Sequence, residues 1–580
     1  MKAGFTTLTF RTLGPEEQIR LASENRLRVI EWNEAQLPIG AVETAQTIRT
    51  LTEAAGLEAF SYAVNLHCDE DGMEAQARDA VACARALGAK ILRIWAGRRS
   101  PQDADAEYRA RVVANARLLC DAAAAQGIVC AFEFHPGTLT ETAASAVELL
   151  RQLGRPDTKC YWQSNPALTA SENLAELRQM LPYLAAIHVF SHTGDRARRL
   201  LCDGVAEWTN YLEPVREQTE LPVLIEGCMD GSERSFASDA ATLRRLVLPR
   251  AVFLNMQPHP AQVFTPRCID ELERFLLLDK EIYTPQRLAE SPDSCADVEY
   301  VFSTWGMPVF SEEEIARYFP RLRAVFYAAG SVQSFVRPYL ARGVEVYSAA
   351  SANAVPVAEY TAAQILLANK GFFQAPRLFA RNGKAAAQAY AFSFPGNYDV
   401  SVGLIGFGLI GSAVARILAE RDISVCAYDP YVPEERLKSL GVRRVSLPEL
   451  FTECQTISNH LPNNAQTKGM LDYSLFSRMA PNATFLNTGR GAQIVEEDLI
   501  RALREELNRT AVLDVTFPEP PPEGHPFYTM DNVLLTPHIA GSFSHEIARM
   551  GEYMRADAAR VCAGLPGRYR ILPEMLANMA

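Results

Sequence analysis

The feature that most restricts the fold of this chain is a repeated alternation of strand-forming and helix-forming runs. Runs rich in strand formers lie at Lys2–Phe10, Arg28–Glu34, Glu58–Leu66, Lys90–Gly97, Ile128–His135, Thr158–Asn165, Leu184–His192 and Leu221–Cys228. Helix formers fill the gaps, as in GMEAQARDAVACARALGA and AEYRARVVANARLLCDAAAAQG, and each of these ends at a Gly or small residue before the next strand. Eight such units in about 245 residues match the size and repeat of a (β/α)8 barrel, with a doubly wound open sheet as the competing architecture.

A boundary falls near Leu246–Arg250, where a last helix turns into a new first strand. A second alternating region follows through KEIYTP, VEYVFSTWG, LRAVFYAAGS and VEVYSA, then a long helical stretch from about Val357. The whole chain is α/β, and its 580 residues exceed what one hydrophobic core serves. A formal net charge of −12 without a basic stripe excludes nucleic acid as a natural partner. The N-terminus lacks the basic start and apolar run of a secretion signal, and no run of about 18 apolar residues predicts a membrane span. The 12 cysteines contain no CxxC pair and are expected to be reduced and mostly buried, which places the chain in the cytoplasm.

The segment from Ser401 to Ser412, SVGLIGFGLIGS, reads as strand, turn and helix. Gly406, Gly408 and Gly411 form GxGxxG: the first permits a tight turn, the second a close approach to a pyrophosphate, the third close helix–strand packing. Leu409 and Ile410 open the helix, whose free N–H groups favour phosphate. The next strand, ISVCAYDP, ends in Asp429, at the spacing where an acid binds ribose hydroxyls and favours NAD over NADP.

Three further strands each end in a reactive residue. ATFLNTGRG delivers Thr488 and Arg490, TAVLDVTFPEP delivers Asp514 and Glu519, and NVLLTPHIAG delivers His538. Ligands of open α/β sheets bind beyond the carboxyl ends of strands, so this is where a site belongs. Oxidising a 2-hydroxy acid needs a base for the hydroxyl proton, and the reverse reaction needs an acid. Histidine serves both. A carboxylate fixes its tautomer, and an arginine pairs with the substrate carboxylate.

NTGRG, DVTFPEP and TPHIAG, in that order after GFGLIGSAVA, resemble the signature blocks of the D-isomer-specific 2-hydroxyacid dehydrogenases. The resemblance implies catalytic roles for Arg490, Glu519 and His538 and a cofactor contact for Asp514. NHLPNNAQTKGML is similar to that family's cofactor loop, at His460, Leu461 and Pro462. VFYAAGSVQ is similar to its substrate block, in which backbone N–H groups of Gly330 and Ser331 would hold the substrate carboxylate. Two departures stand out: Gln333 occupies a position where the family usually has Asp, and the loop NMQPHPAQVF matches no familiar subtype. By this resemblance a cofactor lobe spans 396–540, and a substrate lobe combines 250–395 with 541–580. Homodimers through the cofactor lobe are common in the family.

Residues 1–249 resemble the xylose isomerase-like TIM barrels, on the pieces AFEFHPGTLTET, YWQSNPAL, HVFSH, LLCDGVAEW and LIEG. That resemblance implies a divalent metal, Mn or Mg, on Glu133, Gln163, His188 and Glu226, with the glutamates as an acid/base pair and His67 and His135 as possible substrate contacts. Gln163 stands where the group has Asp and removes one negative charge. The combined expectation is a (β/α)8 barrel fused to a two-lobed Rossmann-type dehydrogenase. Its small-molecule chemistry would be NAD-dependent oxidoreduction of a 2-hydroxy acid, beside a metal-dependent sugar or polyol isomerase, epimerase or dehydratase. The rival expectation is an NAD(H)-sensing interaction protein with a non-catalytic barrel.

Overall fold

The computed structural model describes all residues except 194–196, 259 and 580. The loop NMQPHPAQVF includes position 259, which lies outside the described residues. The chain divides into two compact units. One comprises 1–251, 270–279 and 559–565; the other comprises 252–269, 280–558 and 566–580.

In the first unit eight strands close a barrel: β1 (Lys2–Thr6), β2 (Val29–Asn33), β3 (Glu58–His67), β4 (Ile91–Trp95), β5 (Val129–Phe132), β6 (Lys159–Gln163), β7 (Leu184–Val189) and β8 (Pro222–Ile225). Each pairs in parallel with its sequence neighbours, and β1 closes the ring on β8 with Lys2 opposite Pro222 and Phe5 opposite Ile225. The closed ring removes the open-sheet alternative. Gly4 is required at the seam, since a Cβ there would lie 2.4 Å from Val29. The outer helices carry the termination signals of the sequence. Asp105 Oδ1 accepts from Tyr108 N to start Ala106–Ala124, and Gly88 ends Met73–Leu87 at φ 78°. Trp162, Trp208 and Tyr211 pack edge to face between barrel and helices.

The second unit holds two parallel-stranded layers. Its first sheet, apart from residues 250–251 and 277–279, runs β9 (Arg250–Leu254), β10 (Leu277–Tyr283), β11 (Val298–Ser303), β12 (Ala324–Tyr327) and β13 (Glu345–Ser348), in spatial order β10-β9-β11-β12-β13. The second sheet has seven strands: β14 (Val400–Ile405), β15 (Ile423–Tyr428), β16 (Arg443–Arg444), β17 (Thr456–Asn459), β18 (Thr484–Asn487), β19 (Thr510–Leu513) and β20 (Val533–Leu535). Their order, β16-β15-β14-β17-β18-β19-β20, reverses direction at β14 and so opens a crevice at the carboxyl ends of β14 and β17. Helix Ala350–Ala368 buries Ala358, Ala362 and Ile365 in the same core as Val402, Leu404 and Val414. Among the described residues no helix is long and apolar enough to cross a membrane.

Candidate functional site

The glycine turn after β14 is built for close approach. Gly406 has φ 90°, and a Cβ there would lie 2.8 Å from the carbonyl of His460. A Cβ at Gly411 would lie 2.2 Å from the carbonyl of Gly406, so helix Leu409–Leu418 can meet the strand only with glycine at that point. Gly408 differs: among the described residues beyond its own turn of chain, nothing lies within 4 Å of a Cβ placed there. Its lack of a side chain leaves open space at a helix N-terminus, which fits a dinucleotide pyrophosphate. Asp429, at the end of β15, accepts from Phe407 N at 2.8 Å through Oδ2 and from Tyr431 N at 2.9 Å through Oδ1. The carboxylate is thus fixed against the glycine turn.

His538 stands just beyond β20 at φ 56°. Its Nδ1 lies 2.8 Å from Glu519 Oε1, across two loops. Asp514, at the end of β19, sets this loop. Its Oδ1 accepts from Thr536 Oγ1 at 2.6 Å and Ile539 N at 2.9 Å, and its Oδ2 accepts from Ala540 N at 3.0 Å. Asp514 is buried, and the bonds that it makes are to the segment on either side of His538.

Arg490 is carried by a loop that a network of amides holds. Asn459 Nδ2 donates to Asn487 Oδ1 at 3.0 Å and to Gln493 Oε1 at 2.5 Å, while Arg490 N donates to Gln493 Oε1 at 3.2 Å. Gln493 Nε2 in turn donates to the carbonyls of Leu461 and Pro462 at 2.6 and 2.9 Å. The loops of Arg490 and His460–Pro462 are therefore one rigid piece. The guanidinium of Arg490 donates to Gly489 O at 2.8 Å. His460 lies beside Ser458 Oγ and Thr488 Oγ1, at 3.0 and 3.4 Å, and burial pushes its pKa down to about 3. Asn459, Asn487 and Gln493 escape a reading that looks for titratable groups; the signal available for Asn459 and Asn487 was a polar side chain at the end of a strand, whereas Gln493 lies in the turn Gly491–Gln493.

In the first sheet, Gly330 follows β12, and its carbonyl accepts from Ser348 Oγ at 2.7 Å, with Ser331 next in the loop. Gln333 donates through Nε2 to the carbonyls of Leu576 and Met579 at 2.5 and 3.3 Å. An aspartate at that position would offer no donor, so this departure serves to hold the chain's last turn.

The barrel centre is a buried ring of charge. Glu31 (β2), Arg93 (β4), His188 (β7) and Glu133, just after β5, are shielded from solvent, and Glu226 follows β8. The Arg93 guanidinium donates to Glu133 Oε2, and its Nε lies 3.4 Å from Glu31 Oε1. His188 Nε2 lies 3.3 Å from Glu31, and its Nδ1 lies 3.3 Å from Glu133 and 3.7 Å from Glu226. Burial pushes Glu31 up, but Arg93 and His188 outweigh it and hold the carboxyl at about 2. Burial pushes His188 down, but Glu133, Glu226 and Glu31 carry it up to about 10. Above this ring lies a cavity of about 490 Å³ lined by Asn33, Trp95, His135, Gln163, Arg198 and Glu226 among others. Gln163 donates through Nε2 to Phe134 O at 2.7 Å, and its buried Oε1 has no hydrogen-bond partner among the described residues.

Ligand atoms of Glu133, His188 and Glu226 all lie within 4.8 Å of one another, a spacing that an ion could span. Glu31 faces Nε2 of His188, as a carboxylate does behind a ligand imidazole, and so leaves Nδ1 for an ion. A metal needs a deprotonated carboxylate oxygen and a neutral imidazole nitrogen free to bind it. Here the Arg93 guanidinium takes Oε2 of Glu133, while Oε1 of Glu133 and Oε2 of Glu226 lie on the Nδ1 side of His188. The fourth expected ligand, Gln163, brings no charge. Glu133, His188 and Glu226, three of the four expected ligands, are thus placed where a divalent ion could be held.

The model of the D-isomer specific 2-hydroxyacid dehydrogenase NAD binding domain matches residues 362–540, and that of the xylose isomerase-like TIM barrel matches residues 3–246. A D-3-phosphoglycerate dehydrogenase of Archaeoglobus fulgidus is 30% identical over 235 residues, 40% of this chain and 44% of that protein. Another, from Methanocaldococcus jannaschii, is 30% identical over 257 residues, 41% of this chain and 48% of that protein. The chain thus spans under half the length of these two relatives. A glyoxylate reductase of Korarchaeum cryptofilum is 33% identical over 246 residues, 42% of this chain and 73% of that protein.

Proposed function

Given that the chain belongs, through its C-terminal part, to the D-isomer-specific 2-hydroxyacid dehydrogenase family, we propose that this part interconverts a 2-hydroxy acid and its 2-keto acid with NAD(H). The observation that carries the reading is the contact between His538 and Glu519 at the carboxyl end of the seven-stranded sheet. The cofactor lobe is assigned to 396–540 and the substrate lobe to 250–395 with 541–580.

In this reading Gly406, Gly408, Leu409, Ile410 and Gly411 hold the pyrophosphate, and Asp429 takes the ribose hydroxyls and disfavours a 2′-phosphate. His460, Leu461, Pro462 and Thr488 line the same crevice, and Asp514 acts through the loop that it anchors. NAD, when bound, supplies the hydride acceptor. Backbone N–H groups of Gly330 and Ser331, with the guanidinium of Arg490, hold the substrate carboxylate and polarise the neighbouring C–O bond. His538 removes the hydroxyl proton in oxidation and returns it in reduction. Glu519, on Nδ1, leaves Nε2 to do this and stabilises the imidazolium that forms. The protein is proposed to work in the cytoplasm as a homodimer through the cofactor lobe.

For the barrel we propose a site for a polyhydroxylated small molecule, supported by the amide- and histidine-lined cavity and by the free Oε1 of Gln163. A divalent metal on Glu133, His188 and Glu226, with Gln163 as a neutral fourth ligand, would make this the site of a metal-dependent isomerase, epimerase or dehydratase; elemental analysis of the native full chain and of Glu133→Ala tests it, and native protein without metal sinks it.

A panel of small 2-hydroxy and 2-keto acids assayed with NAD(H) tests the dehydrogenase reading. Turnover of at least one acid is expected. Tight NADH binding with no acid turned over would instead favour an NAD(H)-sensing interaction protein.

A further inference from the structure

We propose that Cys426 and Cys454, beside the seven-stranded sheet, form a thiol-oxidation site that hydrogen peroxide closes to a disulfide and a dithiol reopens. The inference stands whether or not the dehydrogenase reading holds.

The sheet brings the two thiols together from separate segments. Cys426 lies on β15 opposite Gly403 of β14. Cys454 ends helix Leu447–Glu453, just before β17, which pairs with β14 on its other side. Gly403 therefore stands between them, and its missing side chain is the room in which they meet. A Cβ there would lie 2.6 Å from Leu450 and 3.1 Å from Cys454 Sγ. Both cysteines belong to the apolar cluster that holds Ile405, Leu450 and Ile457, and each thiol is a hydrogen-bond partner of the other.

A cation sets this pair apart from buried structural thiols. A cysteine enclosed by apolar groups keeps its proton and is inert; a reactive thiolate needs positive charge beside it. Arg443, opposite Cys426 on β16, donates through its guanidinium to Cys426 Sγ at 3.3 Å. The Cys454 thiol, with help from this guanidinium, holds the Cys426 thiol below its ordinary pKa against the pull of burial, while Cys426 and burial push Cys454 up. One sulfur is thus the nucleophile and the other the thiol that resolves it. The Arg443 guanidinium also pairs with Glu453, and the two side chains are 56% and 44% exposed, so the group that touches Cys426 is itself at the surface. An exposed ion pair is worth about 1 kcal/mol or less, so it parts readily and lets in a molecule as small as peroxide. Cys202 is exposed outright, but its near neighbour is the Asp203 carboxylate at 3.9 Å, which supplies no positive charge.

The chemistry balances. The Cys426 thiolate attacks one peroxide oxygen, the O–O bond breaks, and the departing hydroxide takes up the proton that the thiol gave away. Cys426 is then a sulfenic acid. The Cys454 sulfur attacks the Cys426 sulfur, the S–S bond forms and the S–O bond breaks, and the hydroxide leaves as water with the Cys454 proton. Two thiols give up two electrons to one peroxide and yield one disulfide and two waters.

The test uses the full chain, freed of reductant, with hydrogen peroxide as the oxidant and peptide mass mapping as the readout. Peroxide is expected to give the Cys426–Cys454 cross-linked peptide, and dithiothreitol should restore both thiols. In Cys454→Ala, which keeps a small apolar side chain in the cluster, Cys426 should stop at the sulfenic acid and be trapped by dimedone. Arg443→Gln, a change at the surface, should slow disulfide formation about tenfold, the thiolate fraction lost when a neighbouring cation's shift of about one pKa unit is removed. Oxidation confined to Cys202, with Cys426 and Cys454 still reduced, overturns the proposal. So does a rate of disulfide formation that Arg443→Gln leaves unchanged. Should Cys454→Ala fail to fold, the native map and the Arg443→Gln rate decide the matter.

Discussion

His538 Nδ1 lies 2.8 Å from Glu519 Oε1, although the two residues come from different loops at the end of the seven-stranded sheet. An imidazole held on one nitrogen by a carboxylate presents the other nitrogen to a substrate. His538→Ala should therefore lower kcat by about 10²–10⁴-fold, the usual worth of a positioned acid or base, with NADH affinity largely kept. Glu519→Gln retains a hydrogen-bonding group but not the charge, so its loss should be smaller. Steady-state kinetics and NADH fluorescence titration read both effects. If Ala at 538 abolishes cofactor binding, the histidine is a structural residue.

Asp514 gives a different expectation from the one its sequence position implies. Its two oxygens accept three hydrogen bonds from the segment Thr536–Ala540, around His538. Asp514→Ala should leave the buried Ala540 N–H unmatched, at about 1–3 kcal/mol, and let His538 wander. A melt of the variant should shift down and kcat should fall together. A fall in NADH affinity alone, with stability and kcat intact, would make Asp514 a cofactor contact instead.

What the sequence made legible was periodicity and chemistry at strand ends. The eight runs from Lys2 to Cys228 place every barrel strand, because a βα repeat has few ways to close. Strand ends also place Asp429, Asp514, Glu519 and His538, since each follows an apolar run. Cross-chain partners were not legible. Nothing near Arg93 in sequence announces that its guanidinium meets Glu133, which lies far along the chain, because which inward-facing residues share a level depends on barrel stagger. The same holds for Gln493, whose amide joins the Arg490 loop to the His460 loop only once the strands are side by side.

Asp429 does two things with one carboxylate. It accepts from Phe407 N in the glycine turn, and it stands where ribose hydroxyls would bind. Asp429→Ser removes the charge that would repel a 2′-phosphate but keeps a short polar side chain. The ratio of catalytic efficiency with NADPH to that with NADH should rise about tenfold, or ~1.4 kcal/mol. Comparison of KM and kcat for both cofactors checks this. An unchanged ratio would confine Asp429 to holding the turn.

His460 ties stability to pH in a direction that can be worked out. Burial pushes its pKa down to about 3, against about 6.5 for an unfolded histidine. Between those values the unfolded chain binds the proton and the folded chain does not. The stability that His460 contributes is therefore present above about pH 6.5 and is lost as pH falls toward 3. His460→Gln cannot take up a proton, so it lacks this loss, although it alters the contacts with Ser458 and Thr488. The comparison needs the unfolding transition of the dehydrogenase part, which NADH identifies by raising it. From pH 7 to about pH 5 this transition should fall more steeply in the native chain than in His460→Gln. Parallel curves would mean that His460 takes its proton in the folded protein as readily as in the unfolded one, and would remove burial as the force acting on it.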